Sequence, residues 1–151
     1  MKVSQILERK GSHCHSIEPD KSLSEAVAVM MQHRIGSLLV IDKGTLVSIV
    51  TERDVMWSVN EHGAKVIETI VADVMARELV TCNGDCSLAD AMDLMTKNVT
   101  GRRIRHLPVV EGERLLGLIS IGDIVNTLLR EAEFENKLLR NYIRNWPEES
   151  A

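Results

Sequence analysis

The chain has 151 residues, of which 44% are hydrophobic, so it has about the length of one domain and can bury a core. Its net charge of −4 gives no electrostatic support for nucleic-acid binding, and its three cysteines predict no disulfide framework. Because no apolar run reaches roughly 18 residues and no signal-peptide core is visible, we expect a soluble, cytoplasmic protein without membrane contact.

The chain contains the same unit twice. A short leader at 3–7 returns at 71–75, and the segment Ser22–Val27 matches Ser87–Met92. From Ser22 and from Ser87 onward, the apolar residues follow helical spacing. Ser22 and Ser87 precede these helices and have an acidic residue three positions on, which is typical of a helix N-terminus.

An apolar run follows each predicted helix, at 37–41 and at 106–110. Turn residues at 42–44 and 111–113 separate each run from a second one, which predicts one hairpin per unit. A further helix follows each hairpin. The first covers residues 54–61 and ends near Gly63.

The last predicted helix continues far beyond the repeat, with apolar residues at helical spacing from Ile124 to Trp146 and a change of phase near Phe134. We expect this tail to pack on the core or on a second subunit. The second unit also has four extra residues, which fall within the polar, basic segment 97–105.

The clearest repeat is the segment 46–55, which returns at 115–124. Each copy is an apolar run, a hydroxyl residue, two spacers and an aspartate, giving Thr51 with Asp54 and Ser120 with Asp123. One interpretation is that both pairs cap helices. The other is a ribonucleotide site, because a helix N-terminus attracts phosphate, a carboxylate accepts bonds from ribose hydroxyls, and apolar strands can enclose a base.

These segments, together with Ile-Arg-His-Leu-Pro-Val-Val at 104–110, resemble a tandem pair of CBS domains, also called a Bateman module. The resemblance covers essentially the whole chain. It implies an α+β fold of two β-α-β-β-α repeats related by a pseudo-twofold axis, plus a C-terminal amphipathic helix. The expected boundaries are 1–67 for the first repeat, 68–130 for the second and 131–151 for the helical extension.

The resemblance also implies two clefts between the repeats, each able to take an adenine nucleotide. AMP, ADP and ATP are the leading ligands, and NAD is a further candidate. Thr51 and Asp54 would contact ribose or phosphate in one cleft, and Ser120 and Asp123 in the other. The residues expected to border the bases or to contact phosphate are Gly36, Ser37, Leu38, Arg53, Arg105, His106, Leu107 and Pro108. Phosphate neutralisation would further involve Lys65, Arg102 and Arg103.

The two copies differ in ways that affect the clefts. Ser48 stands where the second repeat has Gly117, so we expect its side chain to narrow the first cleft. The four extra residues within 97–105 would cover or reshape one cleft. The two clefts are therefore not expected to be equivalent.

A soft metal site is an alternative use of His13, Cys14 and His15 with Cys82 and Cys86. The Cys-x3-Cys spacing is unusual for zinc, and the two clusters lie in different repeats, so ordinary loop residues are the preferred interpretation and no metal is expected.

The sequence predicts no catalysis. It has no Walker phosphate loop, no dinucleotide glycine motif and no serine or cysteine nucleophile context beside His106. We therefore predict a homodimeric regulatory module that binds an adenine nucleotide and signals to an unidentified protein partner through a ligand-biased conformation. The competing prediction is a ligand-independent dimerisation or protein-interaction module with vestigial clefts.

Overall fold

A computed structural model describes residues 1–97 and 104–146. Helices and strands follow each other in a similar order in the two halves of the chain. The elements are α1 (Val3–Lys10), β1 (Ser16–Ile17), α2 (Leu23–His33), β2 (Ser37–Asp42), β3 (Thr45–Thr51), α3 (Glu52–His62), a 3-10 turn (Gly63–Glu68), α4 (Val71–Val74), α5 (Leu88–Thr96), β4 (His106–Glu111), β5 (Arg114–Ser120) and α6 (Ile121–Arg144). The mixed α+β fold with two repeats and a C-terminal helix is confirmed.

The predicted helix starts are confirmed at both serines. The Ser22 hydroxyl accepts the backbone N–H of Glu25 at 3.1 Å, and the Ser87 hydroxyl accepts that of Asp90 at 3.0 Å. Each bond satisfies an N–H group that the first turn of the helix leaves without a partner. α2 and α5 therefore begin at equivalent places in the two repeats.

The two predicted hairpins also form, with the same irregularity in each. β2 pairs antiparallel with β3, and β4 with β5; the register shifts at Val40/Ile41 in the first hairpin and at Val109/Val110 in the second. A parallel neighbour precedes each hairpin: β1 lies beside β2, and Cys82 bridges to Val109. The shared bulge shows that the duplication extends to backbone detail.

The two leaders pack on opposite repeats. Val3 and Ile6 of α1 are buried in the core of the second repeat, whereas Val71 of α4 is buried in the core of the first. The backbone N–H of Val3 donates to the carbonyl of Cys86 at 2.9 Å, which ties α1 to the second repeat. The repeats are therefore interlocked, because each contributes a helix to the core of the other.

Ser48 and Gly117 stand at equivalent positions of the two repeats but make different contacts. The Ser48 hydroxyl is buried and donates to the carbonyl of Ala76 at 2.6 Å, so it holds the connecting segment that follows α4. At Gly117 an added Cβ would lie 2.7 Å from Cδ2 of Leu7, so the absence of a side chain there allows α1 to pack against β5. The Ser48 side chain is held by this segment, which corrects the expectation that it narrows the first cleft.

The tail forms one uninterrupted helix, α6, that passes the predicted change of phase at Phe134. Ile124 and Thr127 are buried, but beyond Thr127 every residue to Trp146 except Glu131 is exposed. The prediction that the tail packs on the chain's own core is therefore wrong beyond the first two turns of α6. Within the ranges 1–97 and 104–146, no helix is both long and apolar enough to cross a bilayer.

The exchange of leaders predicts that a substitution in α1 destabilises the second repeat. We expect Ile6→Ala to lower the free energy of unfolding by about 2–5 kcal/mol, because it leaves a cavity in that core. Urea unfolding followed by circular dichroism measures this. Glu8→Ala, on the exposed face of the same helix, is the control and should change stability by less than about 0.5 kcal/mol. Equal effects of the two substitutions would contradict the packing of α1.

Candidate functional site

A cavity of about 230 Å³ lies between the two repeats at the N-terminus of α3. The first repeat contributes Gly36, Thr51, Arg53 and Asp54 from its sequence-predicted residues. The second contributes Arg105 and His106, and the connecting segment adds Ala76, Glu78 and Val80. Other residues lining the cavity are Ile49, Glu52, Met56 and Ile104. Six of the predicted site residues are thus brought together, in what we call the first cleft.

Thr51 and Asp54 form a capping box at the start of α3. The Asp54 carboxylate accepts the backbone N–H of Thr51 at 2.8 Å and its hydroxyl at 3.1 Å, and the Thr51 hydroxyl faces the backbone N–H of Asp54 at 3.4 Å. The same oxygen, Oδ2 of Asp54, accepts both bonds from Thr51. The capping interpretation is therefore confirmed, and it fixes the carboxylate at the edge of the cavity.

The charges in the first cleft are mixed. Arg53 and Arg105 supply positive charge, and Glu52 and Glu78 supply negative charge. Glu52 lies directly over Gly36, where an added Cβ would be 2.9 Å from its Oε1. The absence of a side chain at position 36 therefore leaves room for this carboxylate in the cavity wall.

A second cavity of about 520 Å³ adjoins the first cleft. The two share Asp54, Ala76 and Glu78, so Asp54 stands at their junction. Small-molecule sites usually have volumes of about 300–1,000 Å³. The first cleft alone is below this range, and a ligand that passes Asp54 gains the adjoining space.

The equivalent pair in the second repeat has a different environment. Asp123 accepts the backbone N–H of Ser120 at 2.8 Å, and the Ser120 hydroxyl accepts that of Asp123 at 3.1 Å, so the capping box is repeated. In addition, the ammonium of Lys10 donates to the same Asp123 oxygen at 2.7 Å and to the carbonyl of Leu118 at 2.9 Å. α1 thus places a cation directly on the second aspartate.

These contacts change the ionisation of Asp123. Burial raises its pKa, but the hydrogen bonds from Lys10 and from the Ser120 backbone outweigh burial, and the pKa lies below its ordinary value. Nearby, burial and the positive charge of Lys10 lower the pKa of His106, while Asp123 and Glu52 partly oppose them. Asp123 and Lys10 therefore form a charged pair at neutral pH, beside a histidine held towards its neutral form.

Four predicted base-bordering residues lie deeper than expected. Ser37, Leu38, Leu107 and Pro108 are buried, and Leu38 and Leu107 belong to the cores of their repeats. None of the four lines the first cleft.

The residues predicted to neutralise phosphate lie elsewhere. Lys65 lies exposed on the 3-10 turn, and Arg102 and Arg103 lie outside the described residues, as does most of the segment 97–105. Contact of these residues with a ligand stays a prediction.

Lys10 and Glu78 were not predicted as site residues from the sequence, although the repeat of the leader segments places them at equivalent positions. Aligning Val3 with Val71 places Lys10 opposite Glu78. Both fall just after the matched leader segments. Lys10 bonds to Asp123 of the repeat on which its leader packs, and Glu78 lines the same two cavities as Asp54. The exchange of leaders, which sequence spacing does not reveal, is what makes these two positions part of the clefts.

The residues considered for a metal site separate in the fold. Cys82 and Cys86 lie in and against the core of the second repeat, where burial raises the pKa of Cys82 to about 12. His15 stacks on His33 at 3.9 Å and contacts His13 edge-on at 4.8 Å, all on the side of the first repeat. Within the described residues, no three histidine, cysteine or acidic side chains are grouped so that they could hold a metal ion.

The family model for the CBS domain matches the chain twice, at residues 3–61 and 71–130. The chain belongs to the CBS-domain family. Stand-alone CBS-domain proteins are regulatory rather than catalytic. The resemblance noted from the repeated segments is therefore confirmed.

Relatives of similar size share this organisation. The mitochondrial CBS domain-containing protein CBSX3 of Arabidopsis thaliana is 33% identical over 94% of this chain and 71% of its own length. A crystal structure of a CBS-domain containing protein from Agrobacterium tumefaciens superposes with a TM-score of 0.78 at 37% identity, covering 84% of this chain and 98% of that one. The crystal structure of CBSX2 in complex with AMP has a TM-score of 0.65 at 27% identity, covering 79% of this chain and 90% of that one.

An enzyme also contains a similar segment. Inosine-5'-monophosphate dehydrogenase of Nitrosopumilus maritimus is 37% identical over 74% of this chain, but the match spans 22% of the enzyme. This likeness covers the CBS part of the enzyme and gives no support for catalysis by the chain.

The environment of Asp123 predicts a pH-dependent contribution to stability. Because its pKa is lowered in the folded chain, the ionised form stabilises the fold above the ordinary carboxyl pKa, and this contribution is lost as the pH falls through the folded-state value. We expect Asp123→Asn, which keeps an acceptor for the Ser120 N–H, to cost about 1 kcal/mol at pH 7. The cost should shrink towards pH 3, as measured by urea unfolding at a series of pH values.

Asp93→Asn is the matched control, because Asp93 makes an exposed ion pair at 3.1 Å with Lys97, which caps the end of α5. It should cost less than about 0.5 kcal/mol at any pH. A cost of Asp123→Asn that does not change with pH would show that the charge of Asp123 contributes nothing.

Proposed function

We propose that the chain is a regulatory module that binds an adenine nucleotide in the first cleft and has no catalytic activity of its own. The observation that supports this most is the cavity at Asp54, because both repeats and the connecting segment line it. A ligand held there contacts both halves of the module at once. AMP, ADP and ATP are the proposed ligands, and NAD is a further candidate.

The lining of the first cleft suits the three parts of a nucleotide. Ile49, Val80 and Ile104 offer apolar surface for a flat base. The carboxylate of Asp54, held in place by Thr51, is positioned to accept ribose hydroxyls. Arg53 and Arg105 can neutralise phosphate, because a guanidinium forms paired hydrogen bonds with phosphate oxygens.

Signalling follows from the position of the cleft between the repeats. Because Arg105 and His106 come from one repeat and Thr51 and Asp54 from the other, a bound nucleotide favours the arrangement in which all of them reach it. A ligand shifts a conformational equilibrium only through such a difference in affinity. A protein partner that prefers one arrangement would then sense the nucleotide. The CBSX2 complex supports the ligand class, since that relative was crystallised with AMP.

The proposal predicts that Asp54 is needed for binding. We expect Asp54→Asn to weaken AMP binding at least about tenfold, because hydrogen bonds to a charged group contribute about 1.5–3 kcal/mol. Isothermal titration calorimetry measures the affinity, and circular dichroism checks the fold, which the retained acceptor for Thr51 should preserve. Asp93→Asn makes the same chemical change at an exposed site and should leave binding unchanged.

The competing function, a ligand-independent interaction module, makes the opposite prediction. In that case AMP, ADP, ATP and NAD at millimolar concentration would not shift the melting temperature of the wild-type protein. Such a result would overturn nucleotide sensing.

We further propose that the exposed part of α6 pairs with a second copy of the chain. Its large apolar residues are exposed to an extent that is unusual for a monomer. In α6 they are Val125, Leu128, Leu129, Phe134, Leu138, Leu139, Tyr142 and Ile143, and the exposed Trp146 follows the end of the helix.

The charge pattern of α6 supports antiparallel self-pairing. Glu131, Glu133 and Glu135 follow Arg130 and give the middle of the helix a net negative charge, and Lys137, Arg140 and Arg144 carry positive charge towards its end. Two antiparallel copies would place opposite charges beside each other, which favours that orientation.

The pairing predicts that Leu139→Glu converts a dimer into a monomer in sedimentation velocity, because it buries a charge in the interface. Ile67→Glu, an exposed apolar position on the 3-10 turn, is the control and should leave the dimer intact. A wild-type protein that sediments as a monomer, or a Leu139→Glu variant that stays dimeric, would contradict the pairing.

The three cysteines are free thiols, which supports a reducing compartment, and we propose the cytoplasm.

A further inference from the structure

We infer that a nucleotide binding in the first cleft causes the imidazole of His106 to take up a proton, so that the affinity for a phosphate-bearing nucleotide rises as the pH falls through the neutral range. This inference rests on the proposed function, because it specifies how the same site is regulated. It is carried by the place of His106 in the wall of the cleft and by the charged groups around it.

His106 is held in place by the junction of β4, β5 and α6. It is the first residue of β4, is half-buried, and pairs in register with Ser120 at the end of β5. Next to it, the carbonyl of Arg105 accepts the backbone N–H of Ile121 at 2.8 Å. His106 also lines the cavity of about 230 Å³ in which we place the nucleotide. Its position in the wall of the cleft is therefore set by backbone pairing.

Four charged groups of the described residues act on this imidazole, and they come from different segments of the chain. Lys10 and Arg105 are the cations, and Asp123 and Glu52 are the carboxylates. Burial and the charge of Lys10 have the largest effects and lower the pKa of His106, which the two carboxylates oppose. The ring is therefore mainly neutral at pH 7 in the protein without ligand.

A phosphate in the first cleft changes this charge balance. Arg53 and Arg105 share the lining with His106, so a phosphate bound by these guanidiniums lies in the same cavity. A cavity of about 230 Å³ corresponds to a sphere about 8 Å across, so a phosphate inside it lies close to the wall. An opposite charge within about 4–6 Å of an imidazole favours its protonated form.

Protonation also improves the hydrogen bonding of His106. The neutral ring has one N–H donor and one acceptor nitrogen, whereas the protonated ring has two donors. A phosphate offers only acceptors at neutral pH. The protonated ring therefore suits a phosphate in the cleft, and the proton it needs comes from the solvent.

The direction of the pH dependence follows from linkage. Because the complex holds more protons at His106 than the free protein, binding is stronger at lower pH, and this gain is lost as the pH rises through the pKa of His106 in the complex. Adenosine lacks the phosphate, so its binding should leave the protonation of His106 unchanged.

The test is an NMR pH titration of the imidazole signals of the labelled wild-type protein, alone, with saturating AMP and with adenosine. The pKa of His106 should rise in the presence of AMP and stay in place with adenosine. The signal of His106 is assigned by its loss in His106→Gln. Because the titration itself uses the wild-type protein, the result does not depend on how well a variant binds.

Calorimetry at two pH values gives the functional consequence. Wild-type affinity for AMP should rise about threefold from pH 8 to pH 6.5, and His106→Gln should lose this rise, since glutamine does not titrate in this range. The phosphate of AMP itself titrates near pH 6, but it does so equally with both proteins. His33→Gln is the matched control, because His33 is exposed on α2, stacks on His15 and does not line the cleft. It should keep the wild-type pH dependence.

The outcomes separate this inference from the proposed function. If AMP binds and the pKa of His106 does not change, or if adenosine raises that pKa as much as AMP does, the inference is overturned and nucleotide binding stands. The same holds if His106→Gln keeps the full rise in affinity. If AMP, ADP, ATP and NAD all fail to bind the wild-type protein, both are overturned.

Discussion

The structure depends on the exchange of leader helices between the two repeats. α1 completes the core of the second repeat through Val3 and Ile6, and α4 completes that of the first through Val71. Neither half can move away from the other without losing buried apolar surface, which is the main source of folding free energy. The same exchange places Lys10 of α1 on Asp123, and it brings Glu78, just after α4, into the lining of the cavities at Asp54. Packing and site chemistry therefore have a common origin.

Both aspartates have a structural task that does not exclude a chemical one. In each repeat the carboxylate caps a helix through the same oxygen, Oδ2, at 2.8 Å from a backbone N–H. Beside Asp123 lies Lys10, whereas Asp54 lines two cavities that Glu78 also lines. Duplication thus preserved the capping geometry of the two repeats, while the charged residue that follows each matched leader segment differs between them.

Much of the fold could be predicted from the sequence, because helix spacing, capping serines and turn residues act locally. The hairpins and the caps at Ser22 and Ser87 follow from such signals. The family resemblance further named Thr51 and Asp54, which do line a cavity between the repeats.

What the sequence did not reveal depends on contacts between distant segments. The ion pair of Lys10 with Asp123 joins residues 113 positions apart, and no local pattern in the sequence predicts it. The role of Ser48 likewise depends on a distant segment, because its hydroxyl bonds to the carbonyl of Ala76 beside β3. Burial was a further feature that the sequence did not reveal. Leu38 and Leu107 were predicted to border the bases, and the structure places both in the cores of their repeats, because alternate residues of a strand face opposite sides.

The most direct test of nucleotide binding in the first cleft is amide NMR spectroscopy of the labelled protein during an AMP titration. Binding there predicts that the backbone signals of Thr51, Asp54 and Arg105 shift in a saturable manner, while that of Leu139, on the exposed part of α6, stays in place. Shifts centred on Ser120 and Asp123, with none at Thr51 and Asp54, would contradict it.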